Sequence, residues 1–451
     1  MREDTIAAIS TPHGRGGISV IRISGSEALP VAERVFKAGR RLSELAGYEA
    51  CFGHVFDGDR RLDECVATVF RAPHSYTGED TVELSCHGGI YVTRAVLESV
   101  LRAGALPALP GEFTERAFLN GKLDLAEAEA VSDLINAGSE RALDIAERNR
   151  SGAVSRKINE LCDRILSLLA KIAVFCDYPE DESLGIDEGE FLSETAAVAD
   201  ELRVLIKNYE NGRLIKDGID TVIAGRPNVG KSTLMNFLSG CERSIVTEIP
   251  GTTRDIVETD VSFFGITLRL ADTAGLRDTD DPVESIGVKR AIERMANADL
   301  CLMLFDAGRA PSEEELDLLE KYNAKTVAVI NKTDLNRADT APFADRGVVF
   351  CEISAKNKEG AEQLASAIKE RLKLIEPSAG DVIMGGIRQK NCAERALSSL
   401  EEADASLRSC APYDAVGVIL DDAYAALAEL TGARVSTEVA DRVFRDFCVG
   451  K

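Results

Sequence analysis

The stretch TVIAGRPNVGKSTLMNFL, residues 221–238, restricts this chain more than any other. An apolar β run leads into a glycine-rich turn, G-x-x-x-x-G-K-S from Gly225 to Ser232, and a helical sequence follows. The glycines let backbone N–H groups turn inward onto phosphates, and the following helix adds its positive N-terminal end. Lys231 is then placed to reach β- and γ-phosphates, with Ser232 as a ligand for Mg²⁺. Between about 215 and 375, β runs (DTVIAG, TLRLADTAG, LCLMLFDA, TVAVINKTD, VVFCEISA) alternate with helical stretches. That alternation predicts a parallel sheet flanked by helices, with the loop leaving its first strand.

Three more motifs follow at strand ends. Asp272-Thr273-Ala274-Gly275 can hold the metal's water and sense a γ-phosphate. Asn331-Lys332-Thr333-Asp334 ends the next strand but one, and Ser354-Ala355-Lys356 ends the last. The carboxylate of Asp334 selects the base. Guanine offers N1–H and its 2-amino group side by side, a pair that a carboxylate accepts bidentately, whereas adenine would leave Asp334 unpaired. The nucleotide expected is therefore GTP, contacted also by Asn228, Val229, Gly230 and Thr233 of the phosphate loop. Hydrolysis is less standard. Leu276 stands where Ras-like enzymes place a water-orienting Gln, which leaves Arg277, Asp278, Asp280, Asp281 and Glu284 as candidates, or a merely solvated acidic switch loop.

At 451 residues the chain is too long for one core. Residues 1 to 118 carry short β runs (Gly17–Ile23, Cys65–Phe70, Thr81–Leu84) of an α+β domain. Residues 119–214 are helical, with a 3.6-residue stripe through Ile158, Leu161, Cys162, Ile165, Leu168, Leu169 and Ile172 that YPEDESLGIDEGE breaks as an acidic turn. Helical stripes return over 376–451, through Cys392, Ala396, Leu397, Leu400 and Leu407, then Val416, Ile419, Leu420, Ala423, Leu427 and Leu430. The economical architecture inserts the α/β domain of 215–375 between two halves of one helical domain. Eleven scattered cysteines, never spaced CxxC, suit reduced thiols of the cytoplasm. No apolar run is long enough for a membrane span. A net charge of −23 argues against strong nucleic-acid binding by this chain alone. The end, Cys448-Val449-Gly450-Lys451, puts a cysteine where a prenylation box would, but neither Gly450 nor Lys451 suits that box.

These residues together resemble the MnmE (TrmE) family of tRNA-modification GTPases. The likeness runs from DTIAAISTPHGRGGISVIRISG through SYTGEDTVELSCHGG, PGEFTERAFLNGKLDLAEAEAVSDLI and the nucleotide motifs to the terminal CVGK. It implies an N-terminal folate-binding domain that dimerises, a helical domain and an inserted G domain. It also implies a heterotetramer with the FAD-dependent MnmG (GidA) protein, which would hold much of the tRNA. The complex would add an aminomethyl or carboxymethylaminomethyl group at C5 of the wobble uridine of certain tRNAs.

The resemblance also assigns residues. K⁺ would replace an arginine finger, held by Asn228 and by Thr247, Ile249 and Thr252 of a loop TEIPGTT (Thr247, Glu248, Ile249, Pro250, Gly251, Thr252, Thr253) that also borders GTP. Thr253 would complete Mg²⁺, and Glu284 falls on the family's catalytic glutamate. Arg22, Glu83 and Lys122 match folate positions, the ligand being 5-formyl-tetrahydrofolate or a related tetrahydrofolate, with Lys451 bordering it. Glu83 suits the amino-amide edge of a pterin. Cys448 would be a reactive thiol that the last helix carries to this site, with Arg442 and Arg445 nearby, or else a small apolar cap. His87, beside two glycines, reads as structural. The competing class is a non-catalytic GTP switch of the Era or EngA kind, which predicts an appended basic RNA-binding module that the sequence lacks.

Overall fold

The computed structural model describes residues 4–178, 186–241, 258–271, 293–374, 381–445, 447 and 450. The chain divides into two compact units. One comprises Met1–Ser132, Asn149–Asp200 and Asn391–Lys451; the other comprises Asp133–Arg148 and Glu201–Lys390.

The first unit begins with β1 (Ile6–Ile9), β2 (Ile18–Ser24), helix α1 (Ala28–Val35), β3 (Phe36–Ala38), β4 (Glu49–Asp57), β5 (Arg60–Phe70), β6 (Thr81–His87), α2 (Ile90–Arg102) and β7 (Leu106–Pro107). The strands form one seven-stranded sheet in the order β3-β4-β5-β6-β2-β1-β7. It is antiparallel throughout apart from the β1–β7 pair. Strand alternation sends Ile21 and Ile23, Ala67 and Val69, and Val82 and Leu84 to one face. Against it lie Ala28, Val31, Ala32 and Val35 of α1, spaced i, i+3, i+4, i+7 along one helical stripe, and Val96 and Val100 of α2. Ile6 and Ala8 pack instead with Phe113 of α3 (Glu112–Leu119). Next in the chain come α4 (Leu125–Asn136), α5 (Glu140–Arg150), most of which belongs to the second unit, α6 (Ala153–Asp177), and α7 (Glu188–Asp217), whose residues from Glu201 on belong to the second unit. The expected stripe on α6 is buried at Ile158, Leu161, Cys162, Ile165, Leu168 and Ile172.

The second unit holds β8 (Ile219–Ala224), α8 (Lys231–Cys241), β9 (Glu258–Phe263), β10 (Ile266–Ala271), β11 (Leu300–Asp306), α9 (Glu313–Lys321), β12 (Thr326–Asn331), α10 (Ala341–Ala344), β13 (Val349–Glu352) and α11 (Ala361–Arg371). The sheet order is β13-β12-β11-β8-β10-β9. The expected parallel pairing holds for all of it except the β9 edge, which runs antiparallel to β10. The reason is local. Only Phe264 and Gly265 join these two strands, both at positive φ (48° and 77°), and a two-residue turn can connect only antiparallel strands. Both faces of β11 are buried, Leu300, Leu302 and Leu304 on one side and Met303 and Phe305 on the other, as expected of a strand covered by helices above and below. Within this unit Ile145, Ile215 and Ile383 form a small cluster, and Lys216 pairs with Asp133 at 2.6 Å.

The first unit closes with α12 (Ile387–Arg408), α13 (Tyr413–Thr431) and α14 (Thr437–Arg445). Helix α13 packs along α6, where Phe175 and Tyr413 meet edge to face at 5.0 Å. Leu125 and Ala128 of α4 bury Ala440, Phe444 and Phe447.

Candidate functional site

Strand β8 lies in the interior of its sheet, so the loop after it opens at the carboxyl edge, where doubly wound sheets bind ligands. Gly230 sits at φ +102°, and a Cβ there would collide with the side-chain amide of Asn331. The contact has a purpose. Asn331, 3% exposed, donates from Nδ2 to the Val229 carbonyl at 2.9 Å and accepts from the Ala355 amide at 3.1 Å. One buried side chain thus ties the phosphate loop to both loops expected to hold guanine.

Lys332 adds a second tie. Its Nζ donates to the Asn228 carbonyl at 2.8 Å and to Asp306 Oδ2 at 2.7 Å, and that hydrogen bond holds the Asp306 carboxyl below its usual value. Ser354 Oγ donates to Asp334 Oδ1 at 2.8 Å and fixes the carboxylate assigned to base recognition. Thr333 donates its amide to the Ile353 carbonyl at 3.3 Å, and Lys356 is exposed just beyond. Lys231 Nζ donates to the carbonyls of Gly225 and Arg226, each at 2.9 Å. Ser232 and Thr233 are exposed on the first turn of α8, and Asn228 is exposed in the left-handed region at φ 64°. The geometry therefore brings residues 225–233, 331–334 and 354–356 together. Thr247 to Thr253, Asp272 to Gly275, Leu276 to Asp281 and Glu284 lie outside the described residues. Asp306 and Glu315, which sequence reasoning passed over, connect to this loop, Asp306 through Lys332 and Glu315 directly at Arg226; the only signal for Asp306 was its place at a strand end.

A different construction appears in the first unit. Arg22 on β2 and Glu83 on β6 face each other directly in the sheet register and pair at 2.8–2.9 Å. The Arg22 guanidinium lies over the rings of Tyr76 (5.4 Å) and Phe113 (5.6 Å). Tyr76 shares a hydrogen bond of 2.9 Å with Thr114 on α3, and burial pushes its hydroxyl pKa up. Neither aromatic residue was picked out from the sequence, although both fall within stretches, SYTGED and PGEFTER, that carry the family likeness. Lys122 is exposed and donates to the Pro73 carbonyl at 3.0 Å, so it joins the same loop as Tyr76 from its far end.

His87 is more than a turn residue. Asp63 accepts from both its backbone amide and Nδ1, each at 2.8 Å, and this hydrogen bond raises the pKa of the exposed imidazole. The chain's end comes back to the same sheet. Ser10 Oγ donates to the Gly450 carbonyl at 3.0 Å, and Gly450, at φ +96°, packs so closely on Ile9 that no Cβ would fit. Cys448 and Lys451 lie outside the described residues, but Gly450 between them is seated on β1, the strand that pairs Ala8 with Arg22.

A family model described as the MnmE helical domain matches residues 125–448, and one described as the GTP-binding protein TrmE N-terminus matches residues 5–122. A protein named tRNA modification GTPase MnmE from Alkaliphilus metalliredigens is 39% identical, covering 100% of this chain and 99% of that one. The Carboxydothermus hydrogenoformans protein of the same name is 41% identical over the whole of both chains. Among solved structures, the G domain of the T. maritima FeoB iron transporter is 28% identical, covers 34% of this chain and 98% of that one, and gives a TM-score of 0.26. Among the described residues no helix is long and apolar enough to cross a membrane.

Proposed function

The chain belongs to the MnmE family of tRNA modification GTPases, and from that premise we propose that it hydrolyses GTP to drive modification of the wobble uridine of tRNA. The observation that carries the nucleotide half is the reach of Asn331 from the Asn-Lys-Thr-Asp loop to the phosphate loop on one side and to Ala355 on the other. Asp334 would read N1–H and the 2-amino group of guanine, with Ser354 holding it in place. Lys231 would leave the Gly225 and Arg226 carbonyls for the β- and γ-phosphates. Ser232, exposed on the first turn of α8, suits an Mg²⁺ ligand with Thr253, and Asp272 would hold a water of that ion.

The exposed Asn228 suits a K⁺ ligand, with Thr247, Ile249 and Thr252 completing the set. The ion would offset charge that develops on the phosphates. Glu284 would orient the attacking water.

In the first unit, Glu83 presents a partly exposed carboxylate that fits the amino-amide edge of a tetrahydrofolate, and Arg22 and Lys122 fit its anionic tail. When bound, that group supplies a one-carbon unit. These residues would bind and orient it, and Cys448 would reach it because Gly450 is seated on β1. We infer a homodimer that joins the FAD-dependent MnmG protein in the cytoplasm, with tRNA held largely by that partner. This fits a net charge of −23.

The test is mass spectrometry of wobble uridines in cells lacking this protein. C5-aminomethyl-type modification should be absent, return with the intact gene and stay absent with Cys448→Ser, whose GTP hydrolysis should remain normal. Unaltered modification in the deleted cells would refute the function. Restoration by Cys448→Ser would make that cysteine structural.

A further inference from the structure

The segment from Asp306 to Glu315 grips the phosphate loop at two points, and the second falls on a position that the G-x-x-x-x-G-K-S pattern leaves open. The first runs through Lys332, which bridges Asp306 and the Asn228 carbonyl. The second is an ion pair between Glu315 Oε1 and Nε of Arg226, the second residue of the loop, at 3.0 Å. Glu315 is the third residue of α9, and its other oxygen accepts from the Ser312 amide at 2.9 Å, closing a capping box with Ser312. The carboxylate therefore divides its two oxygens between the end of a helix and the phosphate loop. Its side chain is only 12% exposed while that of Arg226 is 36% exposed, so the pair is partly buried. A cavity of about 100 Å³ lies alongside, lined by Arg226, Asn228, Arg309 and Lys332 among others. Arg226 therefore borders open space on one side, and its charge partner is Glu315.

We propose that Glu315, acting through Arg226, is a positioning residue for GTP. The inference rests on the reading that Lys231 binds phosphate. Lys231 now donates to the carbonyls of Gly225 and Arg226, the same corner that the ion pair holds. Once the ammonium turns to phosphate, both carbonyls lose that donor, and Glu315 is what keeps Arg226 and its peptide in place. The ion pair thus matters more to the nucleotide complex than to folding. It acts on the backbone amides that must point inward at the phosphates.

The experiment measures GTP binding and turnover by the full chain, with a fluorescent GTP analogue and GTP itself, for Glu315→Gln, Arg226→Gln and the double variant. Glutamine still fits the capping box, so Glu315→Gln removes the charge pair while sparing the helix end. GTP affinity should fall about five-fold, the effect expected of one partly buried ion pair, with KM rising in step. The turnover number at saturating GTP should stay within about two-fold. Arg226→Gln should give the same loss, and the double variant no more than either single one, because both remove one interaction. Arg226 is 36% exposed, so its replacement keeps the test valid should Glu315→Gln fold poorly. Unchanged affinity in both single variants, or losses that add in the double, would overturn the proposal. Failure of the unaltered chain to bind GTP at all would overturn the reading of Lys231 beneath it.

Discussion

The two candidate sites are built in opposite ways. In the second unit the assigned residues among those described sit in a loop or first helical turn beyond a strand end, or, for Asn331, on the last residue of a strand, and side chains such as Asn331 and Lys332 then tie loop to loop. In the first unit Arg22 and Glu83 are themselves strand residues, 61 positions apart in sequence, brought together by the register of β2 against β6. A site made of loops can change its chemistry while the sheet stays as it is. A site made of strand residues cannot, because Arg22 also pairs across neighbouring strands and lies over two rings.

The sharpest test of that contrast is Asp334→Asn. It should lower GTP affinity about 100-fold or more and favour xanthosine triphosphate, whose 2-oxo group needs a donor. Stability should move by less than about 0.5 kcal/mol, since Asp334 is exposed and an amide oxygen can still accept from Ser354. Titration calorimetry with both nucleotides, beside thermal unfolding, reads both quantities. Unchanged preference for GTP would remove Asp334 from base recognition.

Replacing K⁺ by Na⁺ should slow GTP hydrolysis about ten-fold or more, as expected when one preorganised stabiliser of developing charge is lost. Equal rates in the two salts would mean that Asn228 holds no catalytic cation.

Arg22→Ala probes the other side. It strips the cation from over Tyr76 and Phe113 and leaves a partly buried Glu83 unpaired, so it should cost about 1–3 kcal/mol of stability. GTP hydrolysis should not change. A stability-neutral Arg22→Ala, by chemical denaturation, would break the comparison at its root.

His87 gives the smallest effect. It ends a strand, yet Asp63 fixes it by hydrogen bonds, much as Ser354 fixes Asp334. Its imidazole should titrate above the usual histidine value by NMR and return toward it in Asp63→Asn. Because the folded value is raised, any stabilisation is complete below the usual histidine pKa and fades as pH rises through the raised one. For Asp63, burial pushes upward but hydrogen bonds from His87 pull the net value down. Its share is present above the usual carboxylate range and is lost on acidification through the lowered value. An unshifted His87 would show that the contact does not persist in solution.

The same contrast explains what could be read from sequence. The phosphate loop and the loops at Asn331 and Ser354 were legible because each is contiguous and ends a strand whose apolar run is plain. The stripes on α6 and α13 were legible for a similar reason, since helical burial follows from spacing alone. Arg22 and Glu83 were named through the family likeness, and nothing local announces that they touch. Tyr76 and Phe113 stayed hidden because stacking on a guanidinium depends on tertiary placement. Glu315 gave only the signal of a capping box after Ser312, with no hint that its second oxygen reaches Arg226. The antiparallel β9 edge was missed because Phe264-Gly265 lies outside the common hairpin dipeptides.

The seating of Gly450 on β1 has a consequence in time as well as space. Ser10 and Gly450 are 440 residues apart, and a ribosome adding about 5–20 residues per second needs roughly 20–90 s to cover that interval. Every strand of the nucleotide-binding sheet leaves the ribosome before this partner of Ser10 exists. A nascent chain can therefore complete its nucleotide half while its first strand still lacks the segment that follows Cys448. Chains stalled before Gly450 would carry every strand of the nucleotide-binding sheet and no partner for Ser10, so synthesis itself sets the order in which the two parts are completed.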